Sequence, residues 1–144
     1  MEAGSDRTSS QQTQLLDAYG LKAGDLVQEW GYDDDIDFAF RDALEDALGE
    51  ELLTEEDQEP ADAVLLWWRA EDGDVTDLTD QLVDVQRSLD RGPVWVMTPR
   101  KGREGYVTPA DVAEAASTGG LHVTTSAGGS EDWLASRLEQ KRGG

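Results

Sequence analysis

Three cations lie within four residues of one another in a chain that is otherwise strongly acidic. Arg100, Lys101 and Arg103 follow a short apolar run, in the segment Thr98-Pro99-Arg100-Lys101-Gly102-Arg103. Guanidinium and ammonium groups hold phosphates and carboxylates, and a glycine lets the backbone approach such an anion closely. The same cations can equally balance the acidic surface of their own molecule. We therefore take Thr98, Arg100, Lys101 and Arg103 as candidate residues for binding a ligand or a partner.

Two apolar runs contain tryptophans that lie close to this segment in the expected fold. Trp67 and Trp68 end the run Ala63–Trp68, and Trp95 lies in the run Val94–Met97. Neighbouring residues of a strand point to opposite faces, so Trp67 and Trp68 cannot both line one pocket. Buried aromatic rings most often fill a core. Trp68 joins the candidate residues as the ring that would line a pocket at the end of the sheet.

No arrangement of side chains predicts a catalytic centre. His122 is the single histidine, and the chain has no cysteine, which excludes disulfides and thiolate metal sites. The acids Asp33–Asp35 and Asp37 are grouped, but their spacing is not that of a calcium loop. One glycine, Gly31, follows the first predicted strand, where a dinucleotide site needs several. We therefore expect no catalytic residue, no metal and no cofactor.

The charge of the chain is large, negative and unevenly distributed. The 144 residues contain 32 acidic and 12 basic side chains, a formal net charge of −20. Residues 33–90 contain 21 acids and three bases, whereas residues 91–109 contain four bases and one acid. Such a chain repels the phosphates of nucleic acids, and its negative surface suits a protein partner with a basic surface. The alternative is that the acids only keep the protein soluble.

Hydrophobic spacing predicts alternating strands and helices. Short apolar runs predict strands, and apolar residues that repeat every three or four positions predict helices. The predicted strands are 26–30, 63–68, 94–97 and 121–126, and the predicted helices are 33–48, 75–89 and a third that begins at Thr108-Pro109. The segment 133–142 fits either state by its spacing. Residues 1–14 lack an apolar pattern and predict a disordered tail before a single domain over 15–142.

This order predicts an α/β fold in three layers. We expect a mostly parallel sheet of four to five strands with helices on both faces. The apolar inner strands 63–68 and 94–97 should lie side by side and run the same way. Ligands of such sheets bind beyond the carboxyl ends of the strands, where the 98–103 loop would stand. The Asp33–Asp35 run would cap the first helix, and the turn 127–130 would let the last strand enter as an antiparallel edge.

Several segments together resemble a family of small acidic actinobacterial proteins, domain of unknown function 3052. The segments are 20–29 (GLKAGDLVQE), 92–102 (GPVWVMTPRKG), 108–112 (TPADV) and 133–138 (WLASRL), and the resemblance covers about residues 15–142. The family is also similar to a trimmed Rossmann-like methyltransferase sheet, with Pro99-Arg100-Lys101 and Trp133 at matching places. The resemblance implies a strand over 133–142 and an intracellular protein. It implies no catalytic residue.

Three functions compete at this point. The first is a non-catalytic interaction or regulatory protein that uses an acidic surface and the basic loop 100–103. The second is a small-molecule or nucleotide-binding enzyme of the transferase type at the same strand ends. The third is an acidic mimic of nucleic acid. The longest apolar run has six residues, far fewer than the roughly 20 that span a membrane, so we expect a cytoplasmic protein.

Overall fold

The computed structural model describes residues 3–89 and 92–141. Within them no helix is long and apolar enough to cross a membrane. Helices and strands alternate as predicted, with a short 3-10 turn at Ala70–Asp72. The helices are α1 (Ala3–Tyr19), α2 (Phe38–Leu48), α3 (Val75–Val85) and α4 (Pro109–Thr118). The strands are β1 (Val27–Trp30), β2 (Ala63–Trp67), β3 (Val94–Pro99), β4 (Leu121–Gly129) and β5 (Trp133–Gln140).

The five strands form one sheet in the order β1-β2-β3-β5-β4. β1, β2 and β3 are parallel neighbours, with Val64 opposite Val94 and Trp67 opposite Met97. The predicted pairing of the two inner strands is therefore confirmed. β5 is antiparallel to both β3 and β4. The sequence predicts this last strand at the border of the sheet. The structure has it one place inward because the hairpin after β4 folds β5 back between β4 and β3.

Helices cover both faces of the sheet, as the predicted fold class requires. Ala63, Leu65 and Trp67 face a core that includes α1 and α2 residues. Val64, Leu66 and Trp68 face the other core, which includes α3 and α4 residues. Fully burying each large apolar side chain contributes roughly 1.5–3 kcal/mol. The continuous apolar run 63–68 is thus explained by a strand that is covered on both sides.

The helix starts show which acids are used for capping. Thr108 caps α4 as predicted, because its side chain accepts a hydrogen bond from the Asp111 N–H. α2 begins at Phe38, and its cap is Asp37, whose carboxylate accepts from the Phe40 N–H at 2.9 Å. The prediction that Asp33–Asp35 caps this helix is wrong. Asp35 instead pairs with Arg69, so the chain turns before the helix begins.

Two further boundaries differ from the sequence prediction. The structure has helix α1 from Ala3, where the composition of 1–14 predicts a disordered tail. The end of this helix is anchored by Leu16 and Tyr19, which are 9% and 5% exposed. α3 ends at Val85 rather than near 89, because turn hydrogen bonds replace the helical ones and Leu89 forms a bridge with Ala61. Residues 1, 2, 90, 91 and 142–144 lie outside the described residues.

Tyr19 gives a pH prediction. Its hydroxyl is buried and makes no hydrogen bond of normal geometry among the described residues. Burial raises its pKa from 10.0 to about 12, while a weak contact with the Gly129 backbone and the charge of Arg100 act in the opposite direction. In the unfolded chain the phenol ionises from about pH 10. The contribution of the protonated Tyr19 to the free energy of unfolding is therefore complete below pH 10 and is lost as the pH rises from 10 towards 12.

Tyr19→Phe should therefore flatten the alkaline loss of stability. At pH 7 we expect no loss, or a gain of up to about 1 kcal/mol, because an unpartnered buried hydroxyl is removed. Urea unfolding at pH 7, 9.5 and 10.5 measures both effects, with the exposed Tyr32→Phe as the control. A loss above about 1 kcal/mol at pH 7 would show that the hydroxyl is bonded and contradict this account.

Candidate functional site

The carboxyl ends of β1, β2 and β3 lie at one edge of the sheet, which we call the carboxyl edge. The three segments that leave these strands begin at Gly31, Trp68 and Arg100. In open α/β sheets this edge is where ligands bind. The side chains found there decide whether a ligand has room.

Arg69 occupies the crevice between the ends of β1 and β2. Its side chain is 6% exposed. Its Nε donates to Asp35 Oδ2 at 2.9 Å, and its Nη2 donates to Asp35 Oδ1. Its Nη1 donates to the carbonyls of Gly31 and Trp67, at 2.8 and 3.2 Å. The guanidinium also lies 5.4 Å from the ring centroid of Trp133. One buried cation thus joins the ends of β1, β2 and β5.

The charges of this pair support each other. Burial alone would lower the pKa of Arg69, but the hydrogen bonds and charge of Asp35 more than compensate and raise it. In return the Arg69 hydrogen bonds hold the pKa of Asp35 below its ordinary value. Both groups are therefore charged at neutral pH, and the lowered pKa makes Asp35 a weaker base than an ordinary carboxylate.

The backbone donor at the end of β1 is also engaged. The Gly31 N–H donates to Glu55 Oε2 at 3.0 Å. Gly31 has φ +80°, and a Cβ built there would lie 2.2 Å from the Trp67 carbonyl oxygen. The glycine is therefore required by the close packing of β1 on β2. Its N–H is satisfied by a carboxylate of the chain itself.

A second ion pair lies inside β1. Glu29 is 5% exposed and accepts from Arg41 Nε at 2.9 Å on both oxygens, and from Trp67 Nε1 at 3.0 Å. Arg41 also lies 3.7 Å from Glu45 and 5.4 Å from the Tyr32 ring centroid. The Glu29 carboxylate, the Arg41 Nε–H and the Trp67 indole N–H therefore all have hydrogen-bond partners. The group joins α2 to the sheet.

The predicted candidate residues separate into two places. Thr98 and Trp68 are interior, 1% and 7% exposed. Arg100 Nε donates to the Ser130 carbonyl at 2.8 Å, and Arg103 Nη1 lies 2.7 Å from Asp132 Oδ2. Lys101 is exposed. The basic loop is therefore tied to the turn between β4 and β5, whereas Trp68 lines the cavity between the ends of β1 and β2 and Thr98 lies inside β3.

A groove with an acidic rim lies beside β1, and we call it the acidic groove. Its cavity volume is about 870 Å³. It runs between the segment 54–60 and the end of α3. Glu55, Glu56, Asp57 and Asp84 contribute four carboxylates, against one cation, Arg87. The apolar part of its lining comes from Trp30, Pro60 and Leu89.

The segment that forms the rim is held by Gln28. This side chain is fully buried, and its Nε2 donates to the carbonyls of Thr54 and Asp57 at 3.0 and 3.1 Å. Its Oε1 accepts from Trp30 Nε1 at 2.9 Å. On the other side of the rim lies a second cavity of about 490 Å³, lined by residues that include Glu29, Tyr32, Glu55 and Glu56. The residues 55 and 56 thus stand between two concave acidic surfaces.

Sequence reasoning did not identify Glu29, Asp35 or Arg69 as site residues. Two signals were present: Glu29 is an ionisable residue inside a four-residue strand, and Arg69 directly follows the apolar run that forms β2. Charged residues at such positions are almost never buried without a partner. The partners could not be assigned, because Asp35 and Arg69 are 34 positions apart.

Solved structures that share this fold include methyltransferases. The mitomycin 7-O-methyltransferase MmcR matches with a TM-score of 0.65 and 14% identity, over 93% of this chain and 54% of that protein. The chain thus spans about half the length of that enzyme. The magnesium protoporphyrin IX methyltransferase of Synechocystis PCC 6803, solved with bound SAM, matches with a TM-score of 0.57 and 11% identity, over 94% of this chain and 79% of that protein. At these identities the similarity shows the fold alone.

SAM is bound in the second of these structures, whereas in this chain polar groups at the carboxyl edge are bonded to one another. Arg69 fills the crevice, and the Gly31 N–H is already bonded to Glu55. The cavity that remains between the ends of β1 and β2 has a volume of about 270 Å³. The chain therefore shares the fold, while its own side chains occupy the crevice between the ends of β1 and β2.

Relatives with closer sequences carry no assigned activity. An uncharacterised protein of Mycobacterium tuberculosis strain H37Rv is 48% identical over 124 residues, 85% of this chain and 76% of that protein. An uncharacterised protein of Mycobacterium bovis gives the same values. The pattern of the proteins of unknown function DUF3052 matches residues 16–142. This chain therefore belongs to the DUF3052 family.

Proposed function

We propose that this chain is a non-catalytic interaction protein whose acidic groove binds a partner with a basic surface. The observation that carries the proposal is the groove itself. It combines an apolar lining with exposed carboxylates of Glu55, Glu56 and Asp84.

The groove suits the side chains of lysine and arginine. Their cationic heads can pair with the rim, and their hydrocarbon stems can pack on the apolar lining. The indole of Trp30 is half-buried, and its ring offers a surface for a cation–π contact of roughly 0.5–1 kcal/mol at an exposed site. Among the described residues no guanidinium lies over this ring, whereas the rings of Tyr32, Trp95 and Trp133 each have one.

The basic loop would orient the same partner. It leaves β3, and β2 separates it in the sheet from β1 and the groove. A basic surface is attracted to the groove and repelled by the exposed side chain of Lys101 in the loop. Attraction at one place and repulsion at another favour a single orientation.

The binding experiment uses two cationic probes: the folded basic protein cytochrome c, and a labelled decapeptide of alternating arginine and glycine. The groove variant is Glu56→Lys/Asp84→Lys. The control, Asp42→Lys/Glu114→Lys, makes the same change of net charge at exposed acids that lie outside both the groove and the basic loop. We expect salt-sensitive binding to the unchanged protein, a loss of tenfold or more in the groove variant, about 1.4 kcal/mol, and a small loss in the control.

Two results would contradict this proposal. One is the absence of salt-sensitive binding to either probe. The other is an equal loss in both double variants, which would mean that the net charge, and not the groove, attracts the probes.

A ligand screen tests the non-catalytic part of the proposal. S-adenosylmethionine and its demethylated product are added to the purified protein, and thermal unfolding is followed. We expect no shift. A ligand present at 100 times its dissociation constant would stabilise the fold by about 2.7 kcal/mol. A saturable shift would favour the alternative, a transferase-like enzyme that binds at the carboxyl edge.

A further inference from the structure

The two edges of the sheet are treated differently by the chain. The outer side of β1 is covered, because the Leu53 N–H donates to the Val27 carbonyl and the Glu29 N–H donates to the Leu53 carbonyl, both at 2.8 Å. β4 forms the opposite edge. Within residues 3–89 and 92–141, β5 is the one strand that pairs with it. The outer hydrogen-bonding groups of β4 therefore face away from the sheet.

The open edge also lacks the usual protection by charge. Exposed edge strands normally carry lysine, other charges or proline, which prevent pairing with another chain. The 16 residues from 115 to 130 contain no Asp, Glu, Lys, Arg or Pro, in a chain with 44 Asp, Glu, Lys and Arg residues. His122, Thr124 and Thr125 are exposed. The described protection on this edge is a register irregularity between Val123 and Thr125 and another between Ser126 and Gly129.

Charge decides which partner this edge fits. Residues 33–90, which include α2, β2, α3 and the acidic groove apart from Trp30, have a net charge of −18 from 21 acids and three bases. Residues 92–141, which include β3, α4, β4 and β5, contain six acids and five bases. Two copies that meet along β4 bring their nearly neutral halves together and keep the acidic blocks apart. Most other approaches of two such copies bring like charges together.

We infer that β4 is an interface with a second copy of this chain. The two β4 strands pair antiparallel about a two-fold axis, which joins the two five-stranded sheets into one continuous sheet. The irregularities in β4 interrupt the ladder and keep it short. The dimer is therefore in reversible, concentration-dependent equilibrium with the monomer.

The test is sedimentation velocity across a hundredfold range of protein concentration at two salt concentrations. The first variant is Thr125→Glu. Thr125 is opposite Arg137 in β5, so the new carboxylate gains a cross-strand partner in its own chain and the fold is retained. The second is His122→Lys, opposite Glu139. Thr76→Glu adds the same charge as the first variant at an exposed position outside β4, at the start of α3, and is the control.

We expect the dimer fraction of the unchanged protein to rise with concentration, and to rise further when salt screens the net charge. Thr125→Glu and His122→Lys should both be monomeric, although they change the net charge in opposite directions, while Thr76→Glu should dimerise normally. Circular dichroism confirms that each variant is folded. A monomer at every concentration, or a dimer that both β4 variants leave intact, would overturn the inference.

Discussion

Replacing Arg69 with methionine is expected to lower the free energy of unfolding by about 2–4 kcal/mol, a large part of the roughly 5–15 kcal/mol that stabilises a domain. Methionine keeps the length and apolar stem of the side chain. It removes the Nε–H that donates to Asp35 and the Nη1–H groups that donate to the carbonyls of Gly31 and Trp67. The backbone carbonyls lose a buried donor.

The expected range starts lower than the roughly 3–5 kcal/mol of a fully buried ion pair. Asp35 is half exposed, with 50% side-chain exposure, so water can solvate its carboxylate once Arg69 is gone. Lysine should rescue little of the loss. It has one ammonium group and cannot reproduce the forked contacts with both Asp35 and the carbonyls.

Urea unfolding followed by tryptophan fluorescence measures this loss. Arg87→Met is the control, because that arginine is 79% exposed and lies 3.9 Å from Asp84, a geometry worth roughly 0–1 kcal/mol. The pH dependence gives a second measurement. Arg69 holds the pKa of Asp35 low, so this stabilisation is complete above the ordinary carboxyl range and is lost as the pH falls from that range through the lowered pKa of Asp35. Arg69→Met should therefore reduce the loss on acidification. Equal stability of both variants at pH 7 would contradict the role given to Arg69.

Glu29→Met should cost a similar amount, about 2–4 kcal/mol. The carboxylate accepts three buried or half-buried hydrogen bonds, two from Arg41 and one from the Trp67 indole. Removing it leaves the indole N–H without an acceptor and the guanidinium partly desolvated. Arg41 is 23% exposed and still has Glu45 nearby, so the loss stays below that of a fully isolated charge.

Glu29→Gln separates hydrogen bonding from charge. The amide keeps one oxygen acceptor and nearly the same shape, so we expect about half of the methionine effect. Glu51→Gln, at an exposed position, is the matched control and should change the stability by less than about 0.5 kcal/mol. Chemical unfolding at pH 7 is again the measurement. If methionine at residue 29 were neutral, the buried pair would be replaceable by apolar packing and the argument would fail.

Periodicity predicted the elements of this fold well because each depends on its own residues. The strand over 63–68 follows from the apolar residues of the run itself, and the cap at Thr108 follows from a hydrogen bond to a residue three positions away. The position of β5 inside the sheet depends on hydrogen bonds to two strands at once, and no spacing within 133–142 encodes that. The fold class was accessible from sequence, whereas the order of the last two strands was not.

The start of α2 shows the same limit at a single residue. Several acids precede the helix, and each is chemically able to cap it. Asp35 is engaged by Arg69 from the end of β2, which leaves Asp37 as the cap. Which acid caps the helix is thus decided by the contact between Arg69 and Asp35, which are 34 positions apart in the chain. The candidate loop 100–103 is likewise positioned by a distant residue, since Arg103 is paired with Asp132.

The buried amide of Gln28 has a consequence for the thermodynamics of recognition. It fastens the carbonyls at both ends of the turn 54–57 to strand β1, so the rim of the acidic groove has its final shape before any partner arrives. Ordering a loose loop on binding would oppose association, by roughly 0.5–1.5 kcal/mol for each side chain that becomes fixed. A preorganised rim avoids that entropic penalty, and the cost of ordering falls mainly on the flexible basic side chains of the partner.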